Sequence, residues 1–159
     1  REKESIPEGK AVKDYHAEKA MAKEEAMKEG LSQVLGAEID DAYMVELKKQ
    51  IIHPEVMQEM ADDIRSVYKP LHGTGNEPVR RVLSELGFKH VYVVPEQELP
   101  DPAFTTLEYP NPEDPKAFTL ALQLAKEQNA DIVTATDPDA DRRGIDALDP
   151  QTGEIVSFT

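Results

Sequence analysis

Hydrophobic positions along this chain follow two periods, and the change between them divides it. Residues 1–36 are rich in Lys, Glu, Ala and Met. Val12 to Glu29 reads as a helix of high propensity closed by Gly30. Its apolar side is thin: Tyr15, Ala17, Ala20, Met21 and Met27. That suits a connector or covering helix better than a partner-binding one. A second helix is expected over Asp40–Ile51, capped by Asp40 or Asp41, with Met44, Leu47 and Ile51 at helical spacing. A third is expected over Pro54–Ile64, where Pro54 suits a first turn and Val56, Met57, Met60, Ala61 and Ile64 share a face.

Beyond Ile64 the period shortens. Ser66–Leu71 reads as a strand running into a glycine turn, His72-Gly-Thr-Gly-Asn76. Asn76 or Glu77 then caps a helix with Pro78 in its first turn. Val79, Val82, Leu83 and Leu86 recur at i, i+3, i+4 and i+7, and Gly87 ends the run. His90-Val-Tyr-Val-Val-Pro95 is the next strand. Strand, helix and strand in so short a span make a βαβ unit, which requires two parallel strands with a right-handed crossover.

Pro95, Pro100, Pro102, Pro110, Pro112 and Pro115 crowd residues 95–115. No helix or central strand survives that density. An ordered loop near the site is expected, pinned by Phe104, Leu107 and Tyr109, with a plain surface loop as the alternative. Asp114 caps and Pro115 opens another helix, with Phe118, Ala121, Leu122 and Ala125 on one face. Asp131–Thr136 is a buried strand, and the tail reads as two strands, Ile145–Asp149 and Glu154–Phe158, around a turn at Pro150–Gly153. Together these elements predict an α/β class, a layered α/β/α domain. Its sheet is mixed and mostly parallel, ends in a hairpin, and is preceded by helices. The domain organisation expected is a helical connector over 1–36 and the α/β/α domain over 37–159.

Composition narrows the partners. The chain has 159 residues and a net charge of −14. That charge opposes duplex nucleic acid, where Lys and Arg must replace condensed counterions, and it opposes an anionic membrane surface. No apolar window is long enough for a transmembrane helix. Cysteine is absent, so disulfides and thiolate metal sites are excluded, and a cytoplasmic location is expected. The N-terminus shows no signal-peptide pattern, and without an initiator Met the sequence is expected to be a processed chain or, in preference, a piece of a longer protein.

The chemistry concentrates in TATDPDADRRG, residues 134–144. Asp137, Asp139 and Asp141 alternate just past a buried strand. Two unit charges ~4 Å apart repel by roughly 1 kcal/mol in water and about 4 at an effective dielectric of 20. Three carboxylates gathered in a loop therefore call for a cation or for protons, and hard oxygen ligands suit Mg²⁺, Mn²⁺ or Ca²⁺. The site lies where ligands gather in open α/β sheets, at the carboxyl end of a strand. A solvated acidic turn is the plain alternative. An EF-hand is excluded, because Arg142 stands where the loop glycine is required and Leu148 where the final Glu is required. A phosphatase of the haloacid-dehalogenase type, with Asp137 as nucleophile, stays as an alternative, although Asp141 falls where that motif carries Thr or Val. Gly73-Thr-Gly-Asn-Glu-Pro78 lacks the third glycine of a dinucleotide fingerprint and reads as a tight strand-to-helix turn whose helix N-terminus could help hold an anion.

Asp-Pro-Asp-Ala-Asp-Arg142 after an apolar strand resembles the metal-binding loop of the α-D-phosphohexomutases, in their long phosphoglucomutase/phosphomannomutase branch. Tyr68-Lys-Pro-Leu-His-Gly-Thr-Gly75, Glu98-Leu-Pro-Asp-Pro102 and Pro110-Asn-Pro-Glu113 resemble that branch in order and spacing, from about Asp40 to the end. The resemblance implies the second of four domains. It implies Asp137, Asp139 and Asp141 as Mg²⁺ ligands and Arg142 as a residue that pairs with phosphate or braces the loop. It also implies a parent enzyme that interconverts hexose 1-phosphate and hexose 6-phosphate through a phosphoserine and a bisphosphosugar, with the other domains of the parent chain and the hexose phosphate as partners.

Arg143 falls where many relatives carry an aliphatic residue and is expected at the surface. None of Ser5, Ser32, Ser66, Ser84 and Ser157 lies in a Thr-Ala-Ser-His-Asn-like context, and no Gly-Glu-Glu sugar loop is present. No catalytic nucleophile is therefore assigned within the chain, and the chain alone is expected to be inactive. His72 is expected to be a turn or packing residue. An acidic interaction module built on the N-terminal helix is the non-enzymatic alternative.

Overall fold

A computed structural model of the protein describes residues 21–158. These fall into two compact units, one ending at Ile39 and the other beginning at Asp40. Within the first, helix α1 spans Lys23–Lys28, and Gly30 follows it at φ 73°. The left-handed residue after the last turn is the stop signal expected of this glycine. Met21 and Ala22, inside the predicted Val12–Glu29 helix, are not helical, since Ala22 is extended at ψ 147°, and the part of that helix before residue 21 lies outside the described residues.

Helix α2 spans Ala37–Lys48. It begins three residues before the predicted cap, because Ala37 and Glu38 favour helix over loop. Asp40 and Asp41 therefore lie inside the helix instead of capping it, and Asp41 is an ion-pair partner of Arg81. Helix α3 spans Pro54–Met60, shorter than the predicted run to Ile64. Ala61 is buried beyond its end, where its carbonyl accepts from Lys89 N at 3.4 Å and Asp62 pairs with Lys89 at 2.6 Å.

Strand β1 spans Arg65–Lys69 and stops before Pro70, which has no N–H to offer a ladder. Leu71 and His72 then take left-handed conformations at φ 49° and 60°, so the predicted extension of the strand to Leu71 does not form. Helix α4 spans Asn76–Glu85 with Gly75 as its cap. Asn76 is not the cap: its side chain is buried and donates from Nδ2 to Glu98 O at 3.0 Å. Arg81 and Lys48 both pair with Glu85, which fastens α2 alongside α4.

Strand β2 spans His90–Val93 and leads into a short 3-10 turn at Pro95–Gln97. A second 3-10 turn, Pro115–Phe118, is capped by Asp114, whose Oδ1 accepts from Lys116 N at 2.9 Å. It passes directly into helix α5, Thr119–Gln128, which Asn129 ends at φ 51°. Strand β3 spans Ile132–Thr136, β4 Arg143–Leu148 and β5 Ile155–Ser157.

The sheet order is β2-β1-β3-β4-β5. β1 pairs in parallel with both β2 and β3, β4 is antiparallel to β3, and β5 is antiparallel to β4. Only β4 therefore opposes the other strands, and the sheet is mixed and mostly parallel, as the hydrophobic pattern predicts. Val67, Val133 and Ala135 of the central strands form the core with Phe118, Ala121 and Ala125. One difference bears on function. β4 begins at Arg143, two residues before the predicted Ile145, and Thr136 pairs with Arg143. The aspartate segment is thus the connection of a β-hairpin, with both ends held by the ladder.

Candidate metal centre

Loop 137–142 closes on itself. Asp137 N donates to Arg142 O at 3.3 Å, and Ala140 N donates to Asp137 O at 3.0 Å with Ala140 at φ 62°. This curl turns three alternating side chains to one place. Asp137, Asp139 and Asp141 each offer a carboxylate oxygen, and the three oxygens lie within 4.8 Å of one another. The convergence is the one required of a cation site. Asp137 is buried, whereas Asp139 and Asp141 are exposed.

Arg142 organises the buried member. Its backbone N donates to Asp137 Oδ1 at 3.0 Å and its Nε donates to Oδ2 at 2.8 Å. Burial pushes the Asp137 carboxyl up, but the two bonds from Arg142, the contact with Asp141 and the Arg142 charge together hold the group below the usual carboxylate range. Asp141 is raised, first by its side-chain contact with Asp137 and then by the charges of Asp139 and Asp137. The guanidinium of Arg142 is raised in turn by its bond to Asp137. Arg143 is exposed on the first position of β4, as expected.

The glycine turn after β1 supports the loop from beneath. Thr74 donates to Pro138 O twice, from its backbone N at 2.8 Å and from Oγ1 at 3.2 Å. A Cβ on Gly73 would stand 2.5 Å from Pro138 Cα and 2.8 Å from Pro70 O, so only glycine allows this approach. Gly75 packs as closely: a Cβ there would lie 2.7 Å from Thr136 Oγ1 and 2.8 Å from Tyr68 OH, two groups that hydrogen-bond to each other at 2.9 Å. Gly73 N, Thr74 N and Asn76 N donate to Pro70 O, Pro138 O and Gly73 O.

The proline-rich loop is ordered around His72. His72 Nδ1 donates to Leu99 O at 2.8 Å, since that carbonyl can only accept. Thr106 Oγ1 takes a bond from Gln97 Nε2 at 3.1 Å and meets His72 Nε2 at 2.9 Å. Phe104 lies edge-on to the His72 ring. Phe104 and Leu107 are half-buried as predicted, but Tyr109 is 61% exposed and does not pin the loop. Asn111 takes that part, with its Oδ1 3.2 Å from Arg142 Nη1. The sequence reading missed both Asn111 and the Thr74–Pro138 clasp. Their signals were the Pro110-Asn-Pro-Glu113 and Gly73-Thr-Gly75 motifs, which carry no mark of what they touch.

Residues 41–147 match the family model described as phosphoglucomutase/phosphomannomutase, alpha/beta/alpha domain II. The chain belongs to this family. A probable phosphomannomutase of Haemophilus influenzae is 39% identical over 118 residues, covering 74% of this chain and 23% of that protein. A phosphoribomutase of Saccharomyces cerevisiae is 33% identical over 139 residues, covering 84% of this chain and 22% of that protein. A human glucose 1,6-bisphosphate synthase is 42% identical over 101 residues, covering 63% and 16%. The chain thus spans under a quarter of the length of these relatives. As a phosphoglucomutase/phosphomannomutase domain II, it carries an acidic cluster whose three hard oxygen donors fit a divalent cation such as Mg²⁺. Among the described residues no helix is long and apolar enough to cross a membrane.

Proposed function

We propose that Asp137, Asp139 and Asp141 hold Mg²⁺ in a cytoplasmic phosphoglucomutase or phosphomannomutase of which this chain is the metal-binding domain, residues 37–159, joined to a helical connector, 1–36. The convergence of the three carboxylates within 4.8 Å is the observation that carries this reading. The parent enzyme would interconvert hexose 1-phosphate and hexose 6-phosphate through a phosphoserine on another of its domains and a bisphosphosugar. A bound Mg²⁺ supplies Lewis acidity toward the phosphoryl group. Phosphoryl transfer depends mainly on positioning and on neutralising charge on oxygen, and this chain's residues serve those ends. Asp137 is locked by Arg142, leaving the exposed Asp139 and Asp141 to complete the cation's carboxylate set. Arg142, beside them, presents a guanidinium suited to phosphate. The relatives carry different sugar names, which accords with a site that handles the phosphoryl group and leaves the sugar to other domains.

Two features weigh against the phosphatase reading. Asp137 is 1% exposed, and both its oxygens accept from Arg142, a poor arrangement for a nucleophile. Calorimetric titration with Mg²⁺ and Mn²⁺ tests the proposal: binding is expected in wild type and lost in Asp139→Asn. Incubation with glucose 1-phosphate is expected to release no inorganic phosphate. Release that disappears in Asp137→Asn would overturn the proposal in favour of the phosphatase.

A further inference from the structure

Arg142 has a choice of carboxylates. Its Nε is 2.8 Å from Asp137 Oδ2 and 3.8 Å from Asp141 Oδ1, and its side chain is 42% exposed. A guanidinium that swung toward Asp139 and Asp141 would itself neutralise the cluster and compete with a cation for the same oxygens. Within its own hairpin loop only the bonds to Asp137 oppose this, and they leave the Nη atoms unheld. A further restraint comes from 31 residues earlier in the chain, where Asn111 Oδ1 accepts from Arg142 Nη1 at 3.2 Å.

That oxygen is firmly placed. Asn111 Oδ1 also accepts from Glu113 N at 3.0 Å, Asn111 N donates to Tyr109 O at 2.9 Å, and Asn111 O accepts from Asp114 N at 3.1 Å. The next residue, Pro112, is buried, and its carbonyl sits where a Cβ on Gly144 would come within 2.6 Å. Gly144 therefore lets the proline-rich loop seat against β4, one residue past Arg143, and the seated loop presents an amide oxygen that has no charge to offer the metal. An amide accepts from a guanidinium without adding to the acidic cluster.

We propose that Asn111 is a positioning residue of the cation site: it keeps the Arg142 guanidinium on Asp137 and off the oxygens of Asp139 and Asp141 that a divalent cation would use. This rests on the cation-site reading above. The test uses the whole 159-residue chain, with Mn²⁺ affinity measured by calorimetry and solvent exchange of the Arg142 Nε–H measured by NMR. Asn111→Ala is expected to speed that exchange and to weaken Mn²⁺ binding by about threefold, the scale of an exposed charged contact. Asn111→Asp, which keeps the acceptor, restores slow exchange. On an Arg142→Lys background, Asn111→Ala adds no further loss, because the two residues act as one unit. Unchanged Nε–H exchange in Asn111→Ala overturns the proposal. So does an undiminished affinity loss on the Arg142→Lys background, which would mean that Asn111 only shapes its loop. A wild-type chain that binds no Mn²⁺ overturns the cation site itself, and it is told apart because Asn111→Ala still speeds the Nε–H exchange.

Discussion

Arg142 holds Asp137 by two separate bonds, backbone N to Oδ1 at 3.0 Å and Nε to Oδ2 at 2.8 Å. A buried carboxylate so held has a structural part in the loop besides its proposed place at a cation. Asp139 and Asp141, exposed and repelling each other, have no such role. The three aspartates should therefore separate by stability. Without metal, Asp137→Asn lowers the unfolding free energy by about 1–3 kcal/mol, the cost of disrupting a buried charged hydrogen bond. Asp139→Asn relieves repulsion and leaves stability unchanged or slightly higher. Mg²⁺ binding is lost in Asp139→Asn and weakened in Asp137→Asn and Asp141→Asn. Urea unfolding with and without Mg²⁺ measures both effects.

Gly73→Ala tests the clasp under the aspartate loop. The added Cβ meets backbone on two sides, Pro138 and Pro70, and neither can move without dragging its strand end. A loss of about 1–3 kcal/mol is expected from overpacking. Because Pro138 lies between Asp137 and Asp139, metal affinity should fall as well. Gly30→Ala, by contrast, has open space around its Cβ and pays only for its positive φ, with no change in metal binding.

Lys69 predicts a pH dependence away from the site. It is fully buried at the end of β1, bonded to Ala117 O, with Nζ 4.0 Å from the centre of the Phe118 ring. Burial lowers its pKa to about 7, against the opposing pull of Asp146 and Asp114. The unfolded chain, with a lysine near 10.5, binds more protons than the folded one between these values. Stability from this group therefore rises with pH from about 7 to about 10, by at most roughly 1.4 kcal/mol per unit. Below pH 7 both states are charged and the cost of burying the charge is felt in full. Thermal midpoints across pH 6–9 check this, and the paired change Lys69→Met with Asp146→Asn should flatten the profile.

His72→Ala removes the hub of the proline-rich loop, with its contacts to Leu99 O and Thr106 Oγ1 and its packing on Phe104. The expected loss is about 1–3 kcal/mol. Limited proteolysis should show new cleavage between residues 99 and 110, and β-sheet content by circular dichroism should remain. His72→Asn, which tolerates the left-handed backbone, should lose less.

Local chemistry was enough to predict most of the elements. The apolar run before Asp137 reads as a strand, Asp114-Pro115 as the capped start of a helical segment, and three alternating carboxylates after a strand as a candidate cation site with a solvated acidic turn as the alternative. These follow from periodicity, capping and Coulomb repulsion between near neighbours, all of which act within a few residues. Element ends were harder. Lys69 rather than Leu71 ends β1 because Pro70 has no N–H, whereas Arg143 rather than Ile145 begins β4 because Thr136 across the ladder pairs with it.

What only the tertiary structure decided is how the loop is held. Thr74 reaches Pro138 and Asn111 reaches Arg142 across 64 and 31 residues. Contacts at such separations depend on which strands become neighbours, and no periodicity encodes them. The sequence by itself determined that three aspartates would alternate just past the end of a strand and repel one another there. The order β2-β1-β3-β4-β5 decided which glycine turn would lie beneath them and which asparagine would steady their arginine, because it brings the carboxyl ends of β1 and β3 and the start of β4 to one edge of the sheet.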